Sequence, residues 1–141
     1  MIAEKTFPAF DDDRIERLGD ADASAMLELA TLTKPGPFTM RALSLGDFWG
    51  IRIDGRLIAM AGERLKVEGM TELSGVCTDP DFRGQGLGRL MTLFAVGKIC
   101  ARGEQPFLHT YAANETAIGL YGKLGFRLRT PMNVAVIERQ A

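Results

Sequence analysis

A glycine-rich turn between a strand-like segment and a helix-like segment constrains this chain more than any other feature. Its residues are Arg83, Gly84, Gln85, Gly86, Leu87 and Gly88. An apolar-rich run at residues 72–78 precedes the turn, and we predict a helix from about residue 88 to residue 101 after it. Glycines in such a turn let backbone N–H groups approach an anion, and the helix N-terminus adds a partial positive charge. The pattern therefore predicts a phosphate or pyrophosphate site.

Two common phosphate-binding motifs do not fit the turn. A dinucleotide fingerprint needs G-x-G-x-x-G near the start of a βαβ unit and an acidic residue about 20 positions later, whereas this chain has R-G-x-G-x-G in its middle. The phosphate loop of nucleotide triphosphatases needs Gly-Lys followed by Ser or Thr, which is missing here. A nucleotide-binding protein is therefore the weaker alternative.

The turn instead resembles the acyl-CoA loop of the GNAT superfamily of N-acetyltransferases, in which Gln or Arg, two residues, Gly, one residue, and Gly or Ala follow one another. Arg83, Gly86 and Gly88 occupy the defined positions. Family-like motifs stand in the same order around it, at residues 76–80, 114–118 and 120–126. The resemblance covers about residues 51–136. It implies one α/β domain over residues 1–141, with the GNAT acyl-CoA N-acyltransferase fold of a mixed central β-sheet flanked by helices.

The order of elements expected from the sequence agrees with that fold. Apolar residues at helical spacing predict a first helix at Ala25, Met26, Leu29 and Ala30, capped by Asp20 or Asp22 and stopped by residues 34–37. Strands are expected at residues 48–53 and 57–65, joined by the Asp54-Gly55 turn, and at 70–78 after a turn at 66–69. We further expect a strand at 107–112, a helix at 115–124 and closing strands within 126–137. A meander followed by βαβα predicts a mixed sheet covered by helices.

Composition sets wide limits on partners and location. The 141 residues are 46% hydrophobic with a net charge of −1, which fits one core and shows no bias toward nucleic acid or a membrane surface. Cys77 and Cys100 have no close Cys or His partner, so we interpret them as reduced packing residues. Without a signal-like or membrane-spanning apolar run, a cytoplasmic protein is expected.

The resemblance implies acetyl-CoA as acyl donor and cosubstrate, and no metal. It implies that the backbone of Val76 and Thr78 pairs with the pantetheine arm, and that an N–H near Val76 or Cys77 polarises the thioester. Asn114 could cap the second helix, bind the cofactor, or do both. The pyrophosphate would be held by Arg83, Gly84, Gln85, Gly86, Leu87, Gly88 and Arg89. For the glycines, the alternative is an ordinary turn before a capped helix.

Three residues are candidates for proton transfer. Related acetyltransferases often place a tyrosine beside the CoA sulfur as general acid, and Tyr121 stands at that point; alternatively, its ring packs on the sheet. His109 stands where ribosomal-protein alanine acetyltransferases carry a glutamate thought to be the base, but it could be a core histidine. Glu72 is a competing base, with a salt bridge to Arg52 or Arg64 as its alternative role. By strand alternation, we expect Glu72, Ser74 and Val76 to share one face.

The acceptor pocket is expected at the loop 33–39 and the strand that carries Phe48 and Trp49. Phe38 and Trp49 could sort acceptors by shape or close the core. Residues 73–80 and 106–109 resemble the glycine N-acyltransferase-like branch, which implies a small amine or amino-acid acceptor. Because the region before the first hairpin is short, we expect part of the acceptor-side lid to be absent or to come from a second subunit in a homodimer.

Two functions from different classes follow. The favoured one is an acyltransferase that moves an acetyl group from acetyl-CoA to a primary amine of a small molecule, amino acid or peptide by direct attack. The other is a non-catalytic acyl-CoA-binding regulatory or sensor module. Both require the cofactor site, so only turnover separates them.

Overall fold

A mixed sheet with helices on both faces organises the molecule. The structure, a computed structural model, describes residues 1–140. Within these residues the strands are β1 (Ile2–Ala3), β2 (Ile15–Arg17), β3 (Phe48–Ile53), β4 (Arg56–Val67), β5 (Met70–Thr78), β6 (Gln105–Phe107) and β7 (Phe126–Arg127). The helices are α1 (Ala23–Thr33), α2 (Leu87–Ala101) and α3 (Glu115–Leu124), with 3₁₀ turns at Asp20–Asp22, Ala42–Ser44 and Pro80–Phe82.

The strand order is β2-β3-β4-β5-β6-β1-β7, and β5 and β6 form the parallel pair that the α2 crossover requires. The neighbouring pairs on either side are antiparallel. The expected mixed sheet flanked by helices is confirmed. In the β3–β4 hairpin, Asp54 and Gly55 have φ of 50° and 79°, the positive values that a tight two-residue turn needs.

Two expected strands are much shorter than predicted. Residues 108–112 are not a strand, because β6 ends at Phe107. The closing strands expected within 126–137 reduce to Phe126–Arg127, and residues 128–140 are exposed without regular structure. Between β6 and β7 lies β1, whose Ile2 pairs with both Phe107 and Arg127. A two-residue strand carries no alternation pattern, so its place in the sheet could not be predicted.

Separate apolar clusters cover the two faces of the sheet. On the α1 face, Met26 and Leu29 pack against Phe48 and Met60. The α2 face is built on residues from α2 and the central strands, including Met91, Ala95, Val96, Ile58 and Leu73. Fully burying one such large side chain contributes about 1.5–3 kcal/mol, so these clusters fix both helices on the sheet.

The first helix begins as predicted but without the expected cap. Asp22 occupies the N-cap position and makes no side-chain capping bond. Its carboxylate instead accepts a hydrogen bond of 2.8 Å from the Gly19 backbone N–H and pairs with Arg52. The competing ion pair with Arg52 explains why the residue pattern for a cap was misleading here.

Candidate functional site

Strand β5 contains a bulge at Gly75. Between the pairs Gly62–Ser74 and Met60–Cys77, the chain advances three residues on β5 but two on β4. Gly75 has φ of +64°, and a Cβ built there would lie 2.8 Å from Phe48 Cε1. Both the backbone angle and the contact with Phe48 therefore require glycine at this position.

The bulge overturns the expected face assignment. Strand alternation from Glu72 would place Val76 on the same side as Ser74, but the extra residue shifts the pattern by one. Cys77 packs in the cluster on the α1 face, whereas Val76 packs against the α2-face cluster. The prediction that Glu72, Ser74 and Val76 share a face was therefore wrong, because it assumed a regular strand.

Strands β5 and β6 separate after Glu72, before the bulge is reached. The parallel pairing joins Met70, Thr71 and Glu72 to residues 105–107 and goes no further. In the described part of the chain, no strand pairs with the second edge of residues 74–78. Backbone N–H and C=O groups at such an edge need partners, and an extended ligand arm can supply them.

The glycine-rich turn follows the open edge of β5 after Asp79 and the 3₁₀ turn Pro80–Phe82. Gly84 and Gly86 have φ of 79° and 75°, and a Cβ at either position would meet nothing within 4 Å. Gly86 is the N-cap of α2, so the N–H groups of the first helical turn lack intrahelical acceptors. Arg83 and Arg89 are exposed, and neither is in an ion pair within residues 1–140. Free amides, a helix N-terminus and unpaired guanidinium groups suit a diphosphate.

Glu72 is a buried carboxylate at the point where β5 and β6 diverge. Its side chain is 2% exposed and receives two hydrogen bonds from Arg64, of 2.9 Å from Nε and 2.7 Å from Nη2. His109 Nδ1 lies 2.7 Å from Glu72 Oε1. The predicted salt bridge to Arg64 is therefore present, whereas Arg52 pairs with Glu16 and Asp22 instead.

The charge state of Glu72 determines which ring nitrogen of His109 carries the proton. Burial opposes ionisation of this carboxyl, but hydrogen bonds from Arg64 and His109 outweigh it and lower the pKa of Glu72. An ionised carboxylate only accepts hydrogen bonds, so Nδ1 of His109 carries the proton. In the neutral imidazole, Nε2 then has a free lone pair. The side chain of His109 is 37% exposed, which rules out the alternative of a core histidine.

Tyr121 lies in α3, packed against the α2-face cluster with its ring centroid 5.9 Å from that of Phe126. Burial, followed by an electrostatic interaction with Cys77, raises the pKa of Tyr121 to about 12. The Tyr121 hydroxyl has no hydrogen-bond partner within residues 1–140.

The remaining candidates divide between the site and the scaffold. Asn114 is the N-cap of α3, where its Oδ1 accepts a 3.1 Å hydrogen bond from Ala117 N–H. Phe38 lines a pocket of about 170 Å³ on the α1 face, with its ring at 5.8 Å from that of Phe48. Trp49 is buried on the opposite face against Phe94, so it is a core residue and does not reach that pocket.

Two parts of the site were not recognised from the sequence. Arg64 was considered only as an alternative partner of Glu72, although it fixes the carboxylate with two hydrogen bonds. The bulge was missed altogether, yet Gly75 inside a strand-like run is the usual signal for one. None of the helices described for residues 1–140 has both the length and the apolarity needed to cross a membrane.

Comparisons with known proteins agree with this geometry. A family model described as "FR47-like protein" matches residues 49–134. The [ribosomal protein bS18]-alanine N-acetyltransferase of Salmonella typhimurium is 35% identical over 78 residues, which cover 55% of this chain and 52% of that protein. A mycothiol acetyltransferase from Thermobispora bispora is 43% identical over 56 residues, or 39% of this chain and 19% of that protein. The chain thus spans at most about half the length of these relatives.

Solved structures match over more of the chain. A protein from Novosphingobium aromaticivorans, described as a GNAT-family acetyltransferase, superposes with a TM-score of 0.86 and 47% identity over 91% of this chain and 57% of that one. The ribosomal-protein-S18-alanine N-acetyltransferase of Escherichia coli gives a TM-score of 0.72 and 25% identity over 82% of this chain and 78% of that one. The structural matches and the family match therefore both indicate an acetyltransferase fold.

Proposed function

The chain belongs to the FR47-like family of GNAT acetyltransferases, and from this premise we propose that it transfers the acetyl group of acetyl-CoA to a primary amine. The main observation behind the proposal is that an unpaired strand edge and an exposed glycine-rich turn lie close together along the chain. Asp79 and the 3₁₀ turn Pro80–Phe82 connect the unpaired edge of β5 at residues 74–78 to the glycine-rich turn at the start of α2. The strand edge can bind an extended arm, and the turn can bind a diphosphate. These two groups are neighbours in CoA.

We assign the cofactor contacts along this path. Backbone groups of Val76, Cys77 and Thr78 would pair with the pantetheine arm, and an N–H at the bulge would face the thioester oxygen. The turn from Arg83 to Arg89 would hold the pyrophosphate through its amides and its two free guanidinium groups. Acetyl-CoA supplies an activated acyl group, and the protein residues position it and handle the protons.

His109 is the proposed base. An ammonium group cannot attack a carbonyl, so the acceptor must lose a proton before its nitrogen bonds to the acyl carbon. Glu72 holds the Nδ1–H tautomer of His109, which leaves Nε2 free to take that proton directly or through water. Glu72 is thus a positioning residue in this scheme, and the 2% exposure of its side chain makes it a poor direct base.

Tyr121 is the proposed acid. As the carbon–sulfur bond breaks, the departing thiolate needs a proton, and the phenol of Tyr121, which has no hydrogen-bond partner within residues 1–140, can donate one. A pKa of about 12 makes Tyr121 a weak donor, but burial also raises the pKa of the Cys77 thiol in β5 to about 11. A CoA thiolate shielded from water would likewise have a raised pKa, which narrows the difference in pKa between the phenol and the thiol.

The acceptor is proposed to be an amine of a small molecule, amino acid or peptide. One relative is named for the alanine of a ribosomal protein and another for mycothiol. The resemblance of residues 73–80 to the glycine N-acyltransferase-like branch supports the small-amine end of this range.

Calorimetric titration with acetyl-CoA tests the cofactor site. Gly86→Asp adds strain at φ of 75° and a negative charge in the turn, and we expect it to abolish measurable binding. The matched control is Gly69→Asp, because Gly69 has φ of 72°, has equally open surroundings and lies in the β4–β5 turn. If wild type fails to bind, or both variants bind like wild type, the proposed site is wrong.

A further inference from the structure

A small pocket opens on the α1 face of the sheet, and its shape bears on the acceptor. The pocket measures about 170 Å³, and five of its nine lining residues are apolar; the four polar ones are Thr39, Glu63, Arg64 and Ser74. The lining residues that matter here are Phe38, Ala42, Leu45, Phe48, Arg64 and Ser74. We name it the α1-side pocket.

The α1-side pocket adjoins the proposed reaction centre. The Cβ position of Gly75, at the bulge, lies 2.8 Å from Phe48 Cε1 and 3.9 Å from Phe38 Cε2. On its other side, Arg64 connects the pocket to Glu72 and through it to His109. A molecule whose amine reaches between the bulge and His109 therefore has this pocket next to it.

Size excludes a whole ligand from the pocket. Cavities that enclose drug-sized ligands measure roughly 300–1,000 Å³, whereas a cavity of about 150 Å³ admits benzene. At about 170 Å³, the pocket has room for one branched aliphatic or aromatic group.

The charges at the wall are already paired. Arg64 gives its Nε and Nη2 hydrogen bonds to Glu72. Glu63 is fully buried, with its carboxylate oxygens 2.9 Å from Arg102 Nη2 and 3.1 Å from Lys66 Nζ. A charged group entering here would lose its hydration without gaining an unpaired counter-ion.

We infer that the acceptor carries a compact, uncharged apolar group beside its amine, and that Phe38, Ala42 and Phe48 receive this group. The inference rests on the proposed function and narrows its substrate class. It favours α-amines next to a leucine-like or phenylalanine-like side chain over glycine-like or acidic amines.

Amino-acid amides that differ only in the side chain test this preference. With acetyl-CoA saturating, kcat/KM is measured from CoA release for glycinamide, leucinamide, phenylalaninamide and glutamic acid α-amide. We expect leucinamide or phenylalaninamide to exceed glycinamide by at least about tenfold, a ratio that apolar pockets commonly reach, and the acidic amide to be the poorest.

A substitution that fills the α1-side pocket is the second test of this preference. Ala42→Phe should lower the ratio of leucinamide to glycinamide turnover by about tenfold, whereas Ala101→Phe, at an exposed position at the end of α2, should leave it unchanged. Equal kcat/KM for all four amides would overturn the inference but leave acetyl transfer established. Absence of turnover with every amide, in a protein that binds acetyl-CoA, would also overturn it. Loss of acetyl-CoA binding itself would instead contradict the proposed function.

Discussion

Glu72 and His109 are joined by a 2.7 Å contact between Oε1 and Nδ1 across the point where two parallel strands separate. The register of the pair explains it, because Glu72 lies opposite Phe107 and His109 follows two residues later. The sequence presents these residues as competing bases. In the structure they are one unit, in which the buried carboxylate orients the exposed imidazole.

Removing the imidazole should slow the reaction and change its response to pH. Activity that depends on a neutral imidazole should fall on the acid side of the pH profile, where the ring is protonated. For His109→Ala, we expect kcat to fall by about 10²-fold and this acid limb to weaken, with acetyl-CoA affinity unchanged. The measurement is the pH profile of kcat/KM for both proteins. An unchanged profile would exclude His109 as the base.

Glu72→Gln should destabilise the fold in a pH-dependent way. Because folding lowers the pKa of Glu72, its ionised form stabilises the folded state at pH values above 4.5, the ordinary pKa of a glutamate. This stabilisation is lost as the pH falls below 4.5 toward the lower pKa of the folded protein. We expect the free energy of unfolding to fall by about 2–3 kcal/mol at neutral pH, because Arg64 keeps its charge but loses the carboxylate that pairs with it. Urea unfolding at pH 7 and below pH 4.5 should show the difference between the proteins shrinking at acid pH. A constant difference would contradict the ionised pair.

Tyr121→Phe separates chemistry from structure. The hydroxyl makes no hydrogen bond within residues 1–140, and the ring packing with Phe126 is retained by phenylalanine. We therefore expect an unchanged or slightly higher melting temperature and unchanged binding of acetyl-CoA. If the phenol donates the proton to the leaving thiolate, kcat falls by about 10²-fold or more. Wild-type kcat in a folded variant would reduce Tyr121 to a packing residue.

Gly75→Ala tests the bulge. A side chain at φ of +64° costs about 1–2 kcal/mol, and its overlap with Phe48 adds to that cost. We expect about 2–4 kcal/mol of destabilisation and weaker binding of acetyl-CoA. Gly69→Ala, at φ of 72° in open surroundings, should show the strain alone and keep wild-type affinity. Equal effects of the two substitutions would mean that Phe48 does not constrain the bulge.

The sequence predicted the central elements well because their patterns are local. Strand β5 at residues 70–78 and helix α3 at residues 115–124 have the predicted bounds, and α2 begins one residue early at Leu87. The Asp54-Gly55 turn was also predictable, since its backbone angles suit few other residue pairs.

What the sequence did not predict depends on tertiary contacts. Strand β1 is two residues long and is defined only by its partners Phe107, Phe126 and Arg127. The face reversal at Val76 follows from Gly75 and its contact with Phe48, which alternation alone does not reveal. Likewise, the union of Glu72 with His109 depends on the parallel register of β5 and β6.

The most direct test of the account is acetyl transfer itself. Purified protein is incubated with acetyl-CoA and a panel of primary amines, and the product mass and released CoA are measured together, with Gly86→Asp and Gly69→Asp in parallel. We predict one acetyl group added to an amine per CoA released by wild type and by Gly69→Asp, and none by Gly86→Asp. Tight binding of acetyl-CoA without transfer to any amine would contradict the account and favour a binding module.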